Sequence, residues 1–247
     1  MAIFRVTQTT DNGLGDTIGT LSWAILQANT DAGGADDTIV LEENITVTGV
    51  MKRLINSNIT LTGDDPDTVD VETATISGGN QFRPLFVKSG TVNLNNLTLT
   101  QGKAQGGSSN AGGGGAGMGG ALFVYSGTVT VEDVTFTDNT AQGGNGGATD
   151  LEWGSRGGGG MFGNAGHEGG GGLFGDSVDR NGGYGGTGDY GGAGGTKGVN
   201  SGFGGGGVAE EYFYTQTFGG NGGFGGGGGF GDYGGNGGFG GGGGGAG

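Results

Sequence analysis

Side chains able to do acid–base chemistry are few in this sequence and lie far apart. The single histidine, His167, has no second histidine with which to share a metal ion or a proton. A polysaccharide lyase needs a basic residue among clustered carboxylates, but Lys52, Arg53 and Arg83 form no recognisable set of that kind. We therefore predict that the protein is not an enzyme, and a polysaccharide lyase is the least favoured function.

Acidic side chains offer a candidate calcium site. Five of them lie in or beside the segment 63–72: Asp64, Asp65, Asp67, Asp70 and Glu72. Calcium prefers such oxygen ligands. The segments 185–190 and 228–233 also approach the calcium-binding pattern G-G-x-G-x-D, but the aspartate comes one position early in both. A solvated acidic loop is the simpler interpretation, so no cofactor is predicted and calcium stays an alternative.

The composition disfavours several other classes of protein. The 247 residues include 24 acidic and 9 basic side chains, a net charge of −15, which opposes binding to phosphate backbones. Cysteine is absent, which excludes disulfides and thiolate metal sites. No apolar run has the length of a membrane span, and the N-terminus lacks a signal-peptide core. We predict no nucleic-acid partner and no membrane insertion, with any secretion signal missing, C-terminal or removed.

One segment occurs twice in the first part of the chain. Residues 85–107 and 122–144 align without gaps at an offset of 37, with 13 identities. A shorter unit, Asn or Asp followed by alternating apolar and Thr residues, begins at positions 44, 58, 96 and 133. Such alternation predicts strands with one buried face. The predicted inward residues are Ile45, Val47, Ile59, Leu61, Leu97, Leu99, Val134 and Phe136.

Short strands that recur once per repeat, without long helices between them, indicate a β-solenoid. A β-sandwich is the rival architecture. The solenoid is favoured because equivalent strands carry nearly the same residues, as expected when they lie above one another in register. The segments 106–120 and 63–72 are then loops at the corners of coils.

A short helix is predicted ahead of the first repeat. Four apolar residues share one face of residues 20–29: Leu21, Ala24, Ile25 and Ala28. Thr20 is a candidate N-cap, and the helix would cover the open end of the solenoid. The predicted fold class is all-β, with a parallel β-helix domain over 1–145, its capping helix at about 20–29, and a glycine-rich region over 146–247.

The same segment resembles a known family. The pattern V-T-x-T-x-D at 6–11, a "GTLxxAIxxAN" helix at 19–29 and a "G-x-D-D-T-I" strand at 34–39 resemble the start of bacterial surface and secreted proteins with the CSLREA-type motif. The likeness extends from the N-terminus to about position 140, but the cysteine is absent and Ser22 and Trp23 replace the usual Arg-Glu pair. It implies a right-handed parallel β-helix and says little about activity.

The glycine-rich part has a period of three. Glycine opens eight successive triplets in 154–175, five in 182–194 and nine in 219–243. Three residues per turn is the period of a polyproline-II-type helix, and a strict glycine edge allows close approach of other backbones. We predict a polyglycine-II-type bundle, and a flexible linker is the alternative. The composition resembles the Gly-Gly-X arrays of PGRS proteins and the polyglycine-II bundles of phage adhesins and an antifreeze protein.

Aromatic residues recur at third positions of the last glycine tract. The predicted aromatic edge consists of Phe224, Phe230, Tyr233 and Phe239. Burying each ring would contribute about 1.5–3 kcal/mol to association. Gly234 lies on the opposite, glycine edge, where a neighbouring backbone must pass. These five are the predicted assembly residues.

The favoured function is an extracellular or cell-surface structural protein that assembles with copies of itself into a filament, sheath or surface layer. An adhesin or an ice-binding module is the alternative, and ice binding is considered because Thr-x-Thr pairs occur at 46–48, 60–62, 98–100 and 135–137. The first two pairs follow each other too closely in sequence for a full coil to lie between them. We therefore expect that the four pairs do not share one regular face.

Overall fold

A computed structural model describes residues 1–31, 36–67, 72–147, 157–166, 169–173, 176–177, 205–207 and 218–244. It divides into two compact units. Met1–Ala104 and Gly119–Thr140 form the first, named here the solenoid unit, and Gln105–Met118 with Ala141–Gly247 form the second, the glycine unit. The insert that follows residue 104 thus groups with the glycine-rich part of the chain.

The regular elements are one helix and twelve strands among the described residues. In chain order they are β1 (Ile3–Val6), β2 (Thr10–Asp11), α1 (Leu21–Thr30), β3 (Asp37–Leu41), β4 (Ile45–Val47), β5 (Ile59–Thr62), β6 (Ala74–Ser77), β7 (Leu85–Val87), β8 (Thr91–Thr100), β9 (Lys103–Gln105), β10 (Leu122–Val124), β11 (Thr128–Thr137) and β12 (Thr140–Gln142).

The strands stack in parallel from one coil to the next, so the predicted parallel β-solenoid is confirmed, with about four turns. One face is built from β1, β3, β5 and the first half of β8. A second face is built from β2, β4, β6 and the second half of β8, and β7 pairs with β10 on a third side. The last coil adds β11, which pairs with β8 along both halves.

The turn between the first and second faces falls inside β8 and β11. Asn96 has a φ of 52° and Asp133 has a φ of 52°, both in the left-handed region that Asn and Asp tolerate best. Each bends its strand so that the two halves belong to different faces. This bend explains why the short repeated unit opens with Asn or Asp in these two coils.

The predicted inward residues form the core, except in the last coil. Six of them are at most 1% exposed: Ile45, Val47, Ile59, Leu61, Leu97 and Leu99. Val134 is only half-buried and Phe136 is 46% exposed, contrary to the prediction. The difference follows from their position, because no described strand pairs with β11 on its far side.

The predicted helix is confirmed as α1. The Thr20 side chain accepts a hydrogen bond from the Trp23 amide at 3.2 Å, which makes Thr20 the N-cap. The apolar face of α1 is buried in the solenoid core and packs on β1 and β3, the first strands of the first two coils. Near its other end, Asn29 donates to the Leu54 carbonyl at 2.7 Å and so ties α1 to the second coil.

A buried carboxylate joins the first coil to the start of α1. Asp11, 1% exposed, accepts hydrogen bonds from the amides of Gly13 at 2.7 Å and Ser22 at 2.6 Å. Its Oδ1 also accepts from the Ser22 hydroxyl at 2.6 Å. Three donors satisfy this charge inside the protein, which makes the contact stabilising rather than costly.

Replacing Asp11 by Ala should destabilise the solenoid unit by about 2–4 kcal/mol, because buried donors at Gly13 and Ser22 lose their acceptor. Urea unfolding followed by circular dichroism measures the loss. Asp16→Ala is the control, since Asp16 is exposed, and it should change the free energy of unfolding by less than about 0.5 kcal/mol. Equal effects of the two substitutions would contradict the anchoring role of Asp11.

Candidate functional site

The second face of the solenoid carries a column of hydroxyl side chains. Strand pairing places one such residue of each coil directly beside the next, in the order Thr10, Thr46, Ser77, Thr100 and Thr137. Thr10, Thr46, Ser77 and Thr100 each lie next to a buried residue of the chain, and Thr137 is exposed in register with Thr100, so the column faces outward. The five residues form one ladder of paired positions along the stack.

A second column runs beside the first, two residues earlier on each strand. Thr75, Thr98 and Thr135 are in register across β6, β8 and β11. Asn44 extends this column to β4, since its side-chain oxygen accepts a hydrogen bond from the Thr75 amide at 2.8 Å. We call the two columns together the threonine face. The expectation that the four Thr-x-Thr pairs do not share one face agrees with this arrangement, because Thr60 lies on the first face beside Thr38.

Three members of the threonine face were missed by sequence reasoning. Thr10 and Ser77 belong to no Thr-x-Thr motif, and Thr75 ends a Thr-Ala-Thr at 73–75 that was not among the four pairs. All three join the face through the pairing of β2 and β6. The signal in the sequence is the buried alternation in "ATIS" at 74–77, where Ser takes the place of the second Thr.

The last coil leaves apolar side chains open to solvent. On β11, Val131 is 44% exposed and Phe136 is 46% exposed, although both face the side that is buried in the coils before it. The fully buried partners of these two residues on β8 are Leu94 and Leu99. Among the described strands, none pairs with the far edge of β11, so this end of the solenoid unit has an open strand edge beside a partly exposed core.

Glycine backbones bond directly to one another in the glycine unit. Over residues 158–160, the three amides donate to the carbonyls of Gly207, Gly113 and Gly163, at 2.6–2.9 Å. The three carbonyls accept from three further amides, those of Gly171, Gly227 and Gly107. Three consecutive residues thus bond to six different positions, whereas a β-strand bonds to two neighbouring strands.

The segment 227–229 repeats this behaviour. Its amides donate to the carbonyls of Gly159, Gly242 and Gly220, and its carbonyls accept from the amides of Gly207, Gly113 and Gly235. A side chain would not fit there, because a Cβ on Gly227 would overlap the carbonyl oxygen of Gly113. The glycines at these positions are required by packing.

The end of the glycine unit contains two parallel segments, 219–229 and 234–244, which are identical in sequence. The amides of Gly219, Gly222 and Gly225 donate to the carbonyls of Tyr233, Asn236 and Phe239, at 2.8–3.0 Å. Every third residue makes the equivalent bond. Both segments contain a turn with a left-handed glycine, with φ of 76° at Gly225 and 79° at Gly240.

This register stacks aromatic rings in pairs. Phe218 stacks on Tyr233 with ring centroids 5.0 Å apart, and Phe224 stacks on Phe239 at 5.3 Å. Between the pairs, the Asn236 amide donates to the Asn221 side chain at 2.9 Å. The exact repeat of one segment in the other places equivalent residues beside each other. Sequence reasoning missed this repeat.

The predicted assembly residues fall into different environments. Phe230 is 9% exposed, Phe224 is half-buried, and Tyr233 and Phe239 are 51% and 73% exposed. Gly234 is half-buried and its neighbour Gly235 is buried. Their role in assembly stays a prediction.

The acidic loop after β5 is tied to the first coil by Arg5. Its guanidinium donates to Asp67 at 2.6 Å and to Glu42 at 2.9 Å, and it also pairs with Asp65. The hydrogen bond from Arg5, supported by the Asp67 amide, holds the pKa of the Asp65 carboxyl below its ordinary value. Two of the candidate calcium ligands, Asp65 and Asp67, are thus paired with the Arg5 guanidinium. A third, Asp70, lies outside the described residues.

The candidate basic residues are engaged in the fold. Arg53 donates to the Leu14 carbonyl at 2.7 Å and Arg83 to the Gly119 carbonyl at 2.7 Å. Arg83 is buried, with its guanidinium over the rings of Phe86 and Phe123. His167 and the segment 185–190 lie outside the described residues. In the described part of the chain, no three histidine or carboxylate side chains lie close enough to bind a metal ion together.

Comparison with known proteins gives no match: no family model, no curated protein and no solved structure is significantly similar to this chain. What is shown is therefore the class of fold, a mostly β protein with a parallel β-solenoid and a single short helix in its described part. None of the described residues forms a helix long and apolar enough to cross a membrane.

Replacing Gly235 by Val should loosen the two parallel segments, because a Cβ at this position would overlap the carbonyl oxygen of Gly220. The expected cost is about 2–3 kcal/mol. Hydrogen exchange of the amides in 219–244 measures it. Asn236→Val is the control at an exposed third position and should leave exchange nearly unchanged. Equal exchange in the two variants would contradict the packing described above.

Acidification should release the acidic loop only at low pH. Because the folded pKa of Asp65 lies below its ordinary value of 3.8, the stabilisation from its contact with Arg5 is fully present above pH 3.8 and is lost as pH falls through the lower folded value. Carboxyl titration by NMR should give a midpoint below 3.8 for Asp65, rising in Arg5→Gln. A midpoint that is the same in both proteins would exclude this ion pair as the cause.

Proposed function

We propose that this protein is a non-catalytic structural protein that associates with copies of itself into filaments, sheaths or a surface layer. The observation that carries the proposal is the open last coil of the solenoid unit. The ten residues of β11 have no partner on their far side among the described strands, and Val131 and Phe136 are about half exposed, so this edge is a template for further strand pairing. Soluble solenoids normally cover such ends with a polar cap.

The two ends of the solenoid unit differ, which restricts how copies can meet. The apolar face of α1 is buried against the first coils, so the first end already has its cap. Association through the other end then brings two β11 edges together in a two-fold contact. A contact of that symmetry closes into a dimer, so a filament or layer needs a second contact elsewhere on the chain.

The glycine unit is the source we propose for the second contact. Three consecutive residues of this unit form hydrogen bonds with six other positions, as expected for parallel three-fold helices packed side by side. We therefore assign the glycine unit to a polyglycine-II-type bundle. A groove of about 430 Å³ is lined by glycines alone, among them Gly112–Gly115 and Gly240. A glycine strand of another copy has the chemistry and the width to bond there.

The remaining parts of the proposal rest on sequence. The motif resemblance of the first part of the chain supports a place outside the cell or on its surface. It also supports a right-handed coil, which parallel crossover connections favour in general. The excess of acidic side chains supports self-association over nucleic-acid binding.

Sedimentation velocity and electron microscopy of the purified full chain test the proposal. The wild type should form dimers and larger assemblies as concentration rises. Val131→Lys places a charge on the exposed inner side of β11 and should shift the protein at least tenfold in concentration toward monomer, equivalent to about 1.4 kcal/mol.

Thr130→Lys is the matched control, since Thr130 is exposed on the outer side of the same strand. This variant should assemble like the wild type. A wild type that stays monomeric at every concentration would overturn the proposal, and so would equal behaviour of the two lysine variants.

A further inference from the structure

The threonine face is a two-dimensional array of small polar side chains, most of them threonine. Neighbouring coils repeat at about 4.8 Å, and the two columns lie about 6.7 Å apart, which is two residues along a strand. The register runs without a shift from β6 through β8 to β11. The first column has five members, and the second has three threonines and Asn44, so polar side chains repeat in both directions.

The lattice is held by a rigid support. Directly beneath it, Ile76, Leu97 and Leu99 are fully buried in the core of the solenoid unit. The rotamers of threonine are restricted by its β-branch. The side chains are thus ordered before any partner arrives, and little conformational entropy is lost on binding.

The hydroxyls of this face are largely free to bind a partner. In the described part of the chain, the hydroxyls of Thr46, Thr98 and Thr135 make no hydrogen bond to another protein group. That of Ser77 donates to the Gln101 side chain at 3.0 Å, and that of Thr137 donates to the Asp138 carboxylate at 3.3 Å. Each threonine also presents a methyl group. The surface therefore offers an uncharged mixture of hydroxyls and methyls at fixed spacing.

These properties select among the possible partners. Phosphates and other anions need cations, and the two columns contain no Lys or Arg. Sugar rings are usually bound by flat aromatic side chains, which are also absent from the columns. A partner that matches this surface must itself be an uncharged lattice of hydrogen-bonding groups with a repeat of a few ångströms. The surface of crystalline water meets that description.

We propose that the threonine face binds ice. Each member of a column would contact an equivalent water position of the ice lattice at the same time. Because these weak contacts act together, the affinity of the threonine face for ice is far higher than that of one hydroxyl–water bond. This function is independent of self-association, because the threonine face is on the outside of the coils whereas β11 offers its edge and its inner side. The short spacing between the first two Thr-x-Thr pairs does not oppose it, because Thr10, Thr75 and Ser77 complete the columns.

Thermal hysteresis of the full chain, measured on single ice crystals, tests the proposal. The wild type should hold the crystals at fixed size and shape over a freezing gap, and Thr98→Lys should abolish most of that gap. Thr98 lies in the middle of its column, so a lysine there keeps neighbouring rungs away from the ice surface.

Asn93→Lys is the matched control. Asn93 is on the same strand and is also half-buried, but it belongs to the first face of the solenoid. Circular dichroism checks that both variants fold. If Thr98→Lys does not fold, the exposed pair Thr135→Lys and Thr130→Lys replaces it, with the same expected contrast.

Three results would overturn ice binding. The first is a wild type that shows no freezing gap and is excluded from slowly growing ice. The second is an equal loss of the gap in Thr98→Lys and Asn93→Lys. The third is binding to a crystalline polysaccharide such as cellulose together with exclusion from ice, which would assign the threonine face to a sugar polymer.

Discussion

Backbone hydrogen bonds between successive coils, formed in parallel and in register, are the interaction on which the solenoid unit depends. They force each residue to lie beside its equivalent in the next coil, so that one repeated strand generates whole columns of side chains. On the second face, Ile45, Ile76 and Leu99 form an inner column while Thr46, Ser77 and Thr100 form an outer one. The core and the threonine face are thus two sides of the same ladder. A shift of one residue in a single coil would exchange the two columns, which is why register is so strongly specified here.

The first and last coils each lack one neighbouring coil, so a solenoid has unpaired strand edges and an exposed core at both ends unless something covers them. The two ends of this solenoid unit differ in how they are covered. At the first, α1 supplies an apolar face, and the buried Asp11 binds the amide and hydroxyl of Ser22 at the start of that helix. At the last, β11 repeats the sequence of β8 closely but has nothing beyond it among the described strands, so Phe136 is exposed where Leu99 is buried. The same side-chain pattern is buried core in one coil and partly exposed apolar surface in the next.

The sequence predicted the solenoid well where coil length is constant. The offset between the two long repeats reappears as the pairing of Leu97 with Val134 and of Thr98 with Thr135. It failed where coil length varies, because Ser77 pairs with Thr46 on one side and with Thr100 on the other at two unequal spacings. No fixed period marks those pairs, since the number of residues between successive strands of this face differs from coil to coil while the ladder stays in register. The motif at 58–62 is nearly identical to that at 44–48 and still lies on another face. Local sequence specifies strand and buried side, whereas the corners specify the face.

The glycine unit also satisfies its backbone amides and carbonyls with hydrogen bonds between neighbouring segments, but it does so with segments that lack side chains. Ordering each glycine costs about 1–2 kcal/mol, so isolated segments would not order. Without side chains, successive residues can bond to several neighbouring backbones, as residues 158–160 do with six positions. The register between glycine segments cannot be predicted from glycine alone, because a uniform tract aligns with itself at any offset. Only the rare side chains reveal it, since Asn221 contacts Asn236 and Phe224 stacks on Phe239. In both units, segments of repeated sequence that run parallel and in register place equivalent residues beside each other, as Thr98 and Thr135 are in the solenoid unit and Phe224 and Phe239 in the glycine unit.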